Sequence, residues 1–204
     1  MFTGIVQGKG QLTWIKKQPN MTHIGVRLPE NLLNNINIGA SISLDGTCLT
    51  VVKQEKNIIF FDIVSETLNR TTFSGVALNQ IMNIERSLKM GDELGGHQLS
   101  GHIMGTAKLL DIRYPSEQQR ILTFQCPEKW MSYILPKGYV AINGASLTVV
   151  DTDMAGKFSV HLIPETLAAT NLSELKIQES VNIEIDYQTQ AIVTTVENYL
   201  KNRT

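Results

Sequence analysis

The chain has 204 residues, with 18 Lys and Arg against 19 Asp and Glu and a formal net charge of −1. Both signs are spread along the sequence, so no basic surface invites nucleic acid and no acidic tail stands out. No run reaches the roughly 18 apolar residues of a membrane span. The start lacks a signal peptide's basic region and long apolar stretch, and Cys48 and Cys126 form no disulfide framework. These features predict a soluble, cytoplasmic protein with no membrane or nucleic-acid partner.

The N-terminal stretch Gly4-Ile5-Val6-Gln7-Gly8-Lys9-Gly10 has glycines in the manner of a phosphate loop. Their spacing is one residue short, and Gly10 stands where a magnesium-binding hydroxyl belongs, so nucleotide chemistry of that kind is excluded. Pro29-Glu30-Asn31-Leu32-Leu33 reads as a short helix with Pro in its first turn. Short β-branched runs then follow at 41–44, 48–53 and 58–63, and later at 121–125, 146–150 and 158–162. Their spacing, with turn signals between them, is that of an all-β barrel or sandwich. Asp45-Gly46 and Asn143-Gly144 are tight-turn dipeptides, because both residue types tolerate positive φ. A boundary is predicted near Gly91–Gly96, and Pro127-Glu128-Lys129-Trp130-Met131 is a second short helix. From Gln188 to Thr204 the period turns helical, with Ala191, Ile192, Val193, Val196, Tyr199 and Leu200 on one stripe. Asp186 is placed to cap this helix, and Lys201 and Arg203 suit its negative end. The stripe fits a lid on the chain's own barrel as well as a contact between subunits.

The two halves repeat one another at an offset of about 98 residues. Asp45-Gly46-Thr47-Cys48-Leu49-Thr50-Val51-Val52 returns as Asn143-Gly144-Ala145-Ser146-Leu147-Thr148-Val149-Val150, and Glu66-Thr67-Leu68 as Glu165-Thr166-Leu167. Asn83-Ile84-Glu85 returns as Asn182-Ile183-Glu184, and Gly4-Ile5-Val6-Gln7-Gly8 as Gly101-His102-Ile103-Met104-Gly105. Two like halves suit two like ligands.

Several residues could carry chemistry. His97 and His102 lie six residues apart inclusive in the small-residue stretch Gly95–His102; they fit a pair of loop histidines, and they fit proton transfer near neutral pH. Cys48 and its counterpart Ser146 fit buried barrel positions, and they fit a ligand pocket with a polarisable thiol in one half only. Thr50 and Thr148 could point inward; β-propensity accounts for them almost as well. Lys137 has no basic partner in the first half, and a solvated loop lysine explains it.

Met1-Phe2-Thr3-Gly4-Ile5-Val6, Gly95-Gly96-His97-Gln98-Leu99-Ser100-Gly101-His102, Asn143–Thr148 and His161–Leu167 together resemble riboflavin synthase over the whole chain. The resemblance implies an all-β protein of two tandem homologous Greek-key six-stranded β-barrels, 1–94 and 95–187, plus a C-terminal oligomerisation α-helix, 188–204. It implies a transferase that dismutates two molecules of 6,7-dimethyl-8-ribityllumazine, two bound per chain, to riboflavin and 5-amino-6-(D-ribitylamino)uracil. It implies no metal and no cofactor, a homotrimer and, in some organisms, association with lumazine synthase. The site residues it implies in the first barrel are Gly4, Ile5, Val6, Cys48, Leu49, Thr50, Asp62, Ile63, Val64, Ser65, Glu66 and Thr67. In the second they are Gly101, His102, Ile103, Ser146, Leu147, Thr148, His161, Leu162, Ile163, Pro164, Glu165 and Thr166. Lys137 would reach a neighbouring subunit's ligand, and Phe2 and Thr3 would close the pocket. Catalytic roles fall to His102 and His97, with Ser41 and Cys48 assisting. The family more often has Asn-Gly in the first turn and Asp-Gly in the second; here the two are reversed. A relative of the family, an antenna protein, shares the barrels without catalysis. The intact histidines, Cys48 and both binding strands favour the enzyme.

Overall fold

A computed structural model describes residues 1–203. Thr204, the end of the expected helical segment, lies outside the described residues. The first half forms strands β1 (Gly8–Gln18), β2 (Met21–Arg27), β3 (Ser41–Leu44), β4 (Thr47–Glu55), β5 (Ile58–Val64) and β6 (Ile81–Arg86). The second forms β7 (Gly105–Ser116), β8 (Gln119–Gln125), β9 (Tyr139–Ile142), β10 (Ala145–Thr152), β11 (Lys157–Leu162) and β12 (Ser180–Ile185). Each set closes into an antiparallel barrel, in the order β1-β2-β5-β4-β3-β6 and, equivalently, β7-β8-β11-β10-β9-β12. Closure leaves no free sheet edge.

Alternation along the strands fills each barrel. Ile42, Leu44, Leu49, Val51, Ile59, Phe61 and Ile63 point into the first core, and Leu147, Val149, Phe158, Val160 and Leu162 into the second. Burying each of these is worth about 1.5–3 kcal/mol. The dipeptides Asp45-Gly46 and Asn143-Gly144 make the β3–β4 and β9–β10 hairpins, with φ of 44° and 83° in one and 45° and 79° in the other. Positive φ at both central residues is the turn whose twist matches that of the strands.

The two turns meet between the barrels. A Cβ on Gly46 would stand 2.8 Å from the Gly144 amide nitrogen, and one on Gly144 2.7 Å from that of Gly46. Side-chain amides cross this seam: Asn83 Nδ2 donates to the Asn143 carbonyl and Asn182 Nδ2 to the Asp45 carbonyl, both at 2.9 Å. Asn171 links the two turn side chains, donating to Asp45 Oδ1 at 2.9 Å and accepting from Asn143 Nδ2 at 3.3 Å. One neighbour of Asn171 must accept and the other donate, so one Asp and one Asn at the turns satisfy it.

Three expectations change. Pro29–Leu33 and Pro127–Met131 form single 3-10 turns, Glu30–Leu32 and Glu128–Trp130, each with its proline just before the first helical residue. Two short helices follow the fifth strand of each barrel, α1 (Ser65–Arg70) and α2 (Pro164–Ala169), with Pro164 opening the second. The C-terminal helix α3 (Tyr187–Lys201) is capped by Asp186, whose carboxylate accepts from the Thr189 amide at 2.9 Å. It buries none of its side chains: Ile192 is 65% exposed and Leu200 58%. It is therefore no lid on its own barrel.

Candidate ligand sites between the barrels

The outward-facing residues of β4 are Cys48, Thr50 and Val52, because Leu49 and Val51 occupy the core. Thr50 and Thr148 both point to solvent, correcting the inward reading; a residue next to an inward leucine must face out. The same rule removes the side chains of Leu49, Ile63, Leu147 and Leu162 from any surface pocket, since they are at most 7% exposed in the barrel cores.

A cavity of about 390 Å³ opens beside Cys48, and Thr47, Glu66, Thr67, Arg70, Thr71, Gly101, His102, Ile103, Met104 and Gln190 complete its lining. Its floor is barrel one; its lip is the segment 101–104 that leads into barrel two. The backbone of Gly101 (φ 80°) lies so close to β4 that an added Cβ would meet Cys48 Cβ at 2.5 Å. The Cys48 amide donates to the Gly101 carbonyl at 2.9 Å. Only glycine takes this conformation and approach without strain.

The second half repeats the construction with the N-terminal segment. Gly4 (φ 75°) lies on β10, where an added Cβ would meet Ser146 Cβ at 2.5 Å, and the Ser146 amide donates to the Gly4 carbonyl at 2.8 Å. The grouping expected from the sequence is thus exchanged. Gly4, Ile5 and Val6 belong with Ser146, and Gly101, His102 and Ile103 with Cys48. The cause is a crossing of the two segments, joined where Phe2 and Leu99 exchange backbone hydrogen bonds of 2.8 and 3.0 Å. Phe2 is buried beneath this crossing with Leu99 and Ala141, and Cys48 packs against them.

The two sites carry different side chains. In the second, His97 Nδ1 lies 2.6 Å from Ser146 Oγ, and its ring stacks on Tyr139 at 5.1 Å. Burial lowers the His97 pKa, partly offset by Asp186; among the described residues its buried Nε2 has no hydrogen-bond partner. His102 is exposed at the first. Ser41 pairs with Thr50 across β3 and β4, as Tyr139 pairs with Thr148 across β9 and β10. Ser41 therefore flanks the first site two residues along the strand from Cys48. Lys137 is exposed with φ 66°, and its amide donates to Val149 at 2.8 Å; Gly39 (φ 89°) does the same to Val51 in barrel one. A lysine held where the other copy has glycine is backbone strain of the kind kept at functional positions.

Asp62 and Val64 face out on β5, but Asp62 is paired with His23 (Nδ1–Oδ1 2.6 Å) in a separate open groove of about 860 Å³ that also contains Trp14 and Phe60. Ser65 is bonded to the Asn20 carbonyl, Glu66 to Arg70, and His161, Ile163, Pro164 and Glu165 are exposed around the start of α2. Thr67 and Thr166 offer their carbonyls to Thr71 and Thr170 hydroxyls, both at 2.7 Å, fixing the two helices alike. Sequence reasoning missed Arg70, Tyr139 and Gln190 as site neighbours; Gln190 comes from the helix, which has no first-half copy to flag it. It also passed over the carboxylates of Glu85 and Glu184, although the repeated Asn-Ile-Glu contained them.

Two copies of one barrel, each with an outward strand under a glycine lip, define a tandem small-ligand-binding protein. The model of the lumazine binding domain matches residues 3–87 and again 100–186. The riboflavin synthase of Escherichia coli (strain K12) is 46% identical over all of this chain and 95% of its own length, and that of Chlamydia pneumoniae is 39% identical over 98% of this chain. A crystal structure of LumP complexed with riboflavin superposes with a TM-score of 0.84 at 29% identity, covering 91% of this chain and all of the other. LumP complexed with 6,7-dimethyl-8-(1'-D-ribityl) lumazine gives 0.82 at 27% identity. The chain belongs to the riboflavin synthase family.

Proposed function

We propose that the chain catalyses the dismutation of two 6,7-dimethyl-8-ribityllumazine molecules, one giving a four-carbon unit to the other, to yield riboflavin and 5-amino-6-(D-ribitylamino)uracil. The observation that carries this reading is the pair of equivalent mounts at Cys48 and Ser146, each completed by a glycine lip. Two copies of one pocket hold two copies of one substrate, and fixing both removes much of the entropic barrier of a two-molecule reaction. His102, exposed beside Cys48, is the group we assign to proton transfer at the first site. His97, hydrogen-bonded to Ser146, serves the second. Ser41 and Cys48 assist at the first site. The outward residues of 64–67 and 161–166, with Thr50, Thr148 and Ile103, line the ligands, whereas Asp62 stays with His23 in its own groove. Lys137, projecting from its strained turn, reaches the ligand of a neighbouring subunit.

The assembly that makes such a reach useful is a homotrimer built through α3, whose apolar stripe is uncovered in the single chain. Truncation before Ala191 is expected to give monomers by light scattering; an intact trimer would return the helix to some other role. The direct test of the reaction uses 6,7-dimethyl-8-ribityllumazine as the sole addition. Riboflavin is expected at half the molar amount of lumazine consumed, and titration calorimetry should saturate at two ligands per chain. Tight binding with no riboflavin, or saturation at one per chain, would make the chain a binder like the antenna relatives.

A further inference from the structure

We propose that Glu184 and Glu85 are positioning residues, each of which mounts the glycine lip of the other barrel's ligand site. The inference rests on the proposed function above and assigns to it two groups that touch no ligand.

Glu184 stands on β12 of barrel two and is 4% exposed. Its Oε1 accepts from the amide and the hydroxyl of Ser100, both at 2.7 Å, and its Oε2 from the Gly101 amide at 3.0 Å. Ser100 Oγ in turn accepts from the His102 amide at 3.1 Å. The segment so held lies on Cys48, in barrel one. Glu85, on β6 of barrel one and 3% exposed, does the same for Thr3 and Gly4. It accepts from the Thr3 amide at 2.6 Å, the Thr3 hydroxyl at 2.7 Å and the Gly4 amide at 3.1 Å, and Thr3 Oγ1 accepts from the Ile5 amide at 3.2 Å. That segment lies on Ser146, in barrel two. Each site is therefore set by the barrel that does not supply its strand.

The chemistry needs a carboxylate. Two amides and a hydroxyl converge on one side chain, and an ionised carboxylate alone offers acceptors to all of them while presenting no donor. Burial raises both Glu pKa values, against the smaller opposing pull of the hydrogen bonds they accept and, at Glu184, of nearby His102. Glutamine at either position keeps the volume but turns an amide NH₂ toward at least one backbone N–H. The lip must then shift, and with it His102 at one site or Ile5 at the other.

The two sites can be read separately because Cys48 sits in one of them. Cys126 is buried, and burial pushes its thiol up to about 11, so a gentle alkylating agent reports Cys48. The experiment measures the rate of Cys48 alkylation with and without 6,7-dimethyl-8-ribityllumazine in wild type, E184Q, E85Q and S100A, alongside kcat, KM and melting temperature. Lumazine should slow alkylation in wild type. E184Q should lose that protection and weaken lumazine binding at Cys48 by about 10- to 100-fold, the worth of charge-assisted hydrogen bonds. E85Q should lose activity yet keep Cys48 protected. S100A, which retains the carboxylate and guards against a misfolded E184Q, should lose about 3- to 10-fold in protection for one hydrogen-bonded link. Equal loss of protection in E184Q and E85Q, or wild-type protection in E184Q and S100A with only a lowered melting temperature, would overturn the inference and leave both carboxylates as cement. Absence of protection in the wild type would instead remove the lumazine reading of the first site, and this inference with it.

Discussion

The two barrels share topology, turn geometry and lip construction, yet differ at the outward positions around the sites. Cys48 faces Ser146 in the comparison, Ser41 faces Tyr139, and Gly39 faces Lys137. Farther along the outer wall, Trp14 and Phe60 of barrel one correspond to Asp111 and Ser159, and the His23–Asp62 pair to Ile121 and His161. Inward positions remain apolar in both copies, because a closed barrel of this size has room only for packed side chains. Duplication thus fixed two equivalent strand-and-lip mounts, and the outward residues around them were free to diverge between the copies.

The comparison breaks most sharply at the lips. G101A places a Cβ 2.5 Å from Cys48 Cβ at φ 80°, and G4A does the same against Ser146 at φ 75°. Each conformation alone disfavours an L-residue by roughly 1–2 kcal/mol. Displacing a substrate by about an ångström costs about 100-fold in rate. Both variants should therefore lose kcat by at least that factor, with G101A abolishing lumazine protection of Cys48 and G4A sparing it. Steady-state kinetics with thiol labelling checks this; near-wild-type turnover in either would dissociate the lips from the sites.

The histidines sharpen it. His102 is exposed, so H102A should lower turnover by about 100-fold, in the range of a lost general acid or base, at an unchanged melting temperature. His97 is buried against Tyr139 and Ser146, so H97A should lower both turnover and melting temperature. Equal thermal effects would mean that the two environments are not as different as their burial.

The smallest effect lies in the seam. Burial raises the Asp45 carboxyl to about 7 from its ordinary 3.8, against the pull of the Asn83 amide and the Asn171 side chain. The native state then binds more protons than the unfolded chain between those values. The contribution of Asp45 is fully present below about 3.8 and is lost as pH rises through about 7. Wild type should lose stability from pH 5 to pH 8 by up to a few kcal/mol relative to D45N, which carries no titrating group there. D45N should be the more stable at pH 8, and urea unfolding at both pH values tests the sign. Parallel profiles for the two proteins would show that Asp45 does not titrate in this window.

Much of this was legible in the chain. The repeat announced two like units, the Asp-Gly and Asn-Gly dipeptides announced both hairpins, and the change of period after Asp186 announced the last helix. These are local or periodic signals, and the backbone obeys them wherever the strands go. The inward–outward sense of β4 and β10 was less plain. Both Leu49 and Thr50 are good strand residues, and only closure of the barrel decides which of them meets the core.

Sequence alone determined that two like β units exist, that they are copies, and that glycines, histidines and a cysteine gather near their repeated strands. Tertiary structure decided which residues share a site. Gly4 leads into barrel one in the chain and rests on barrel two, whereas Gly101 leads into barrel two and rests on barrel one. Such a crossing leaves no local trace, because Glu85 and Glu184 enforce it with hydrogen bonds that span more than 80 residues of chain.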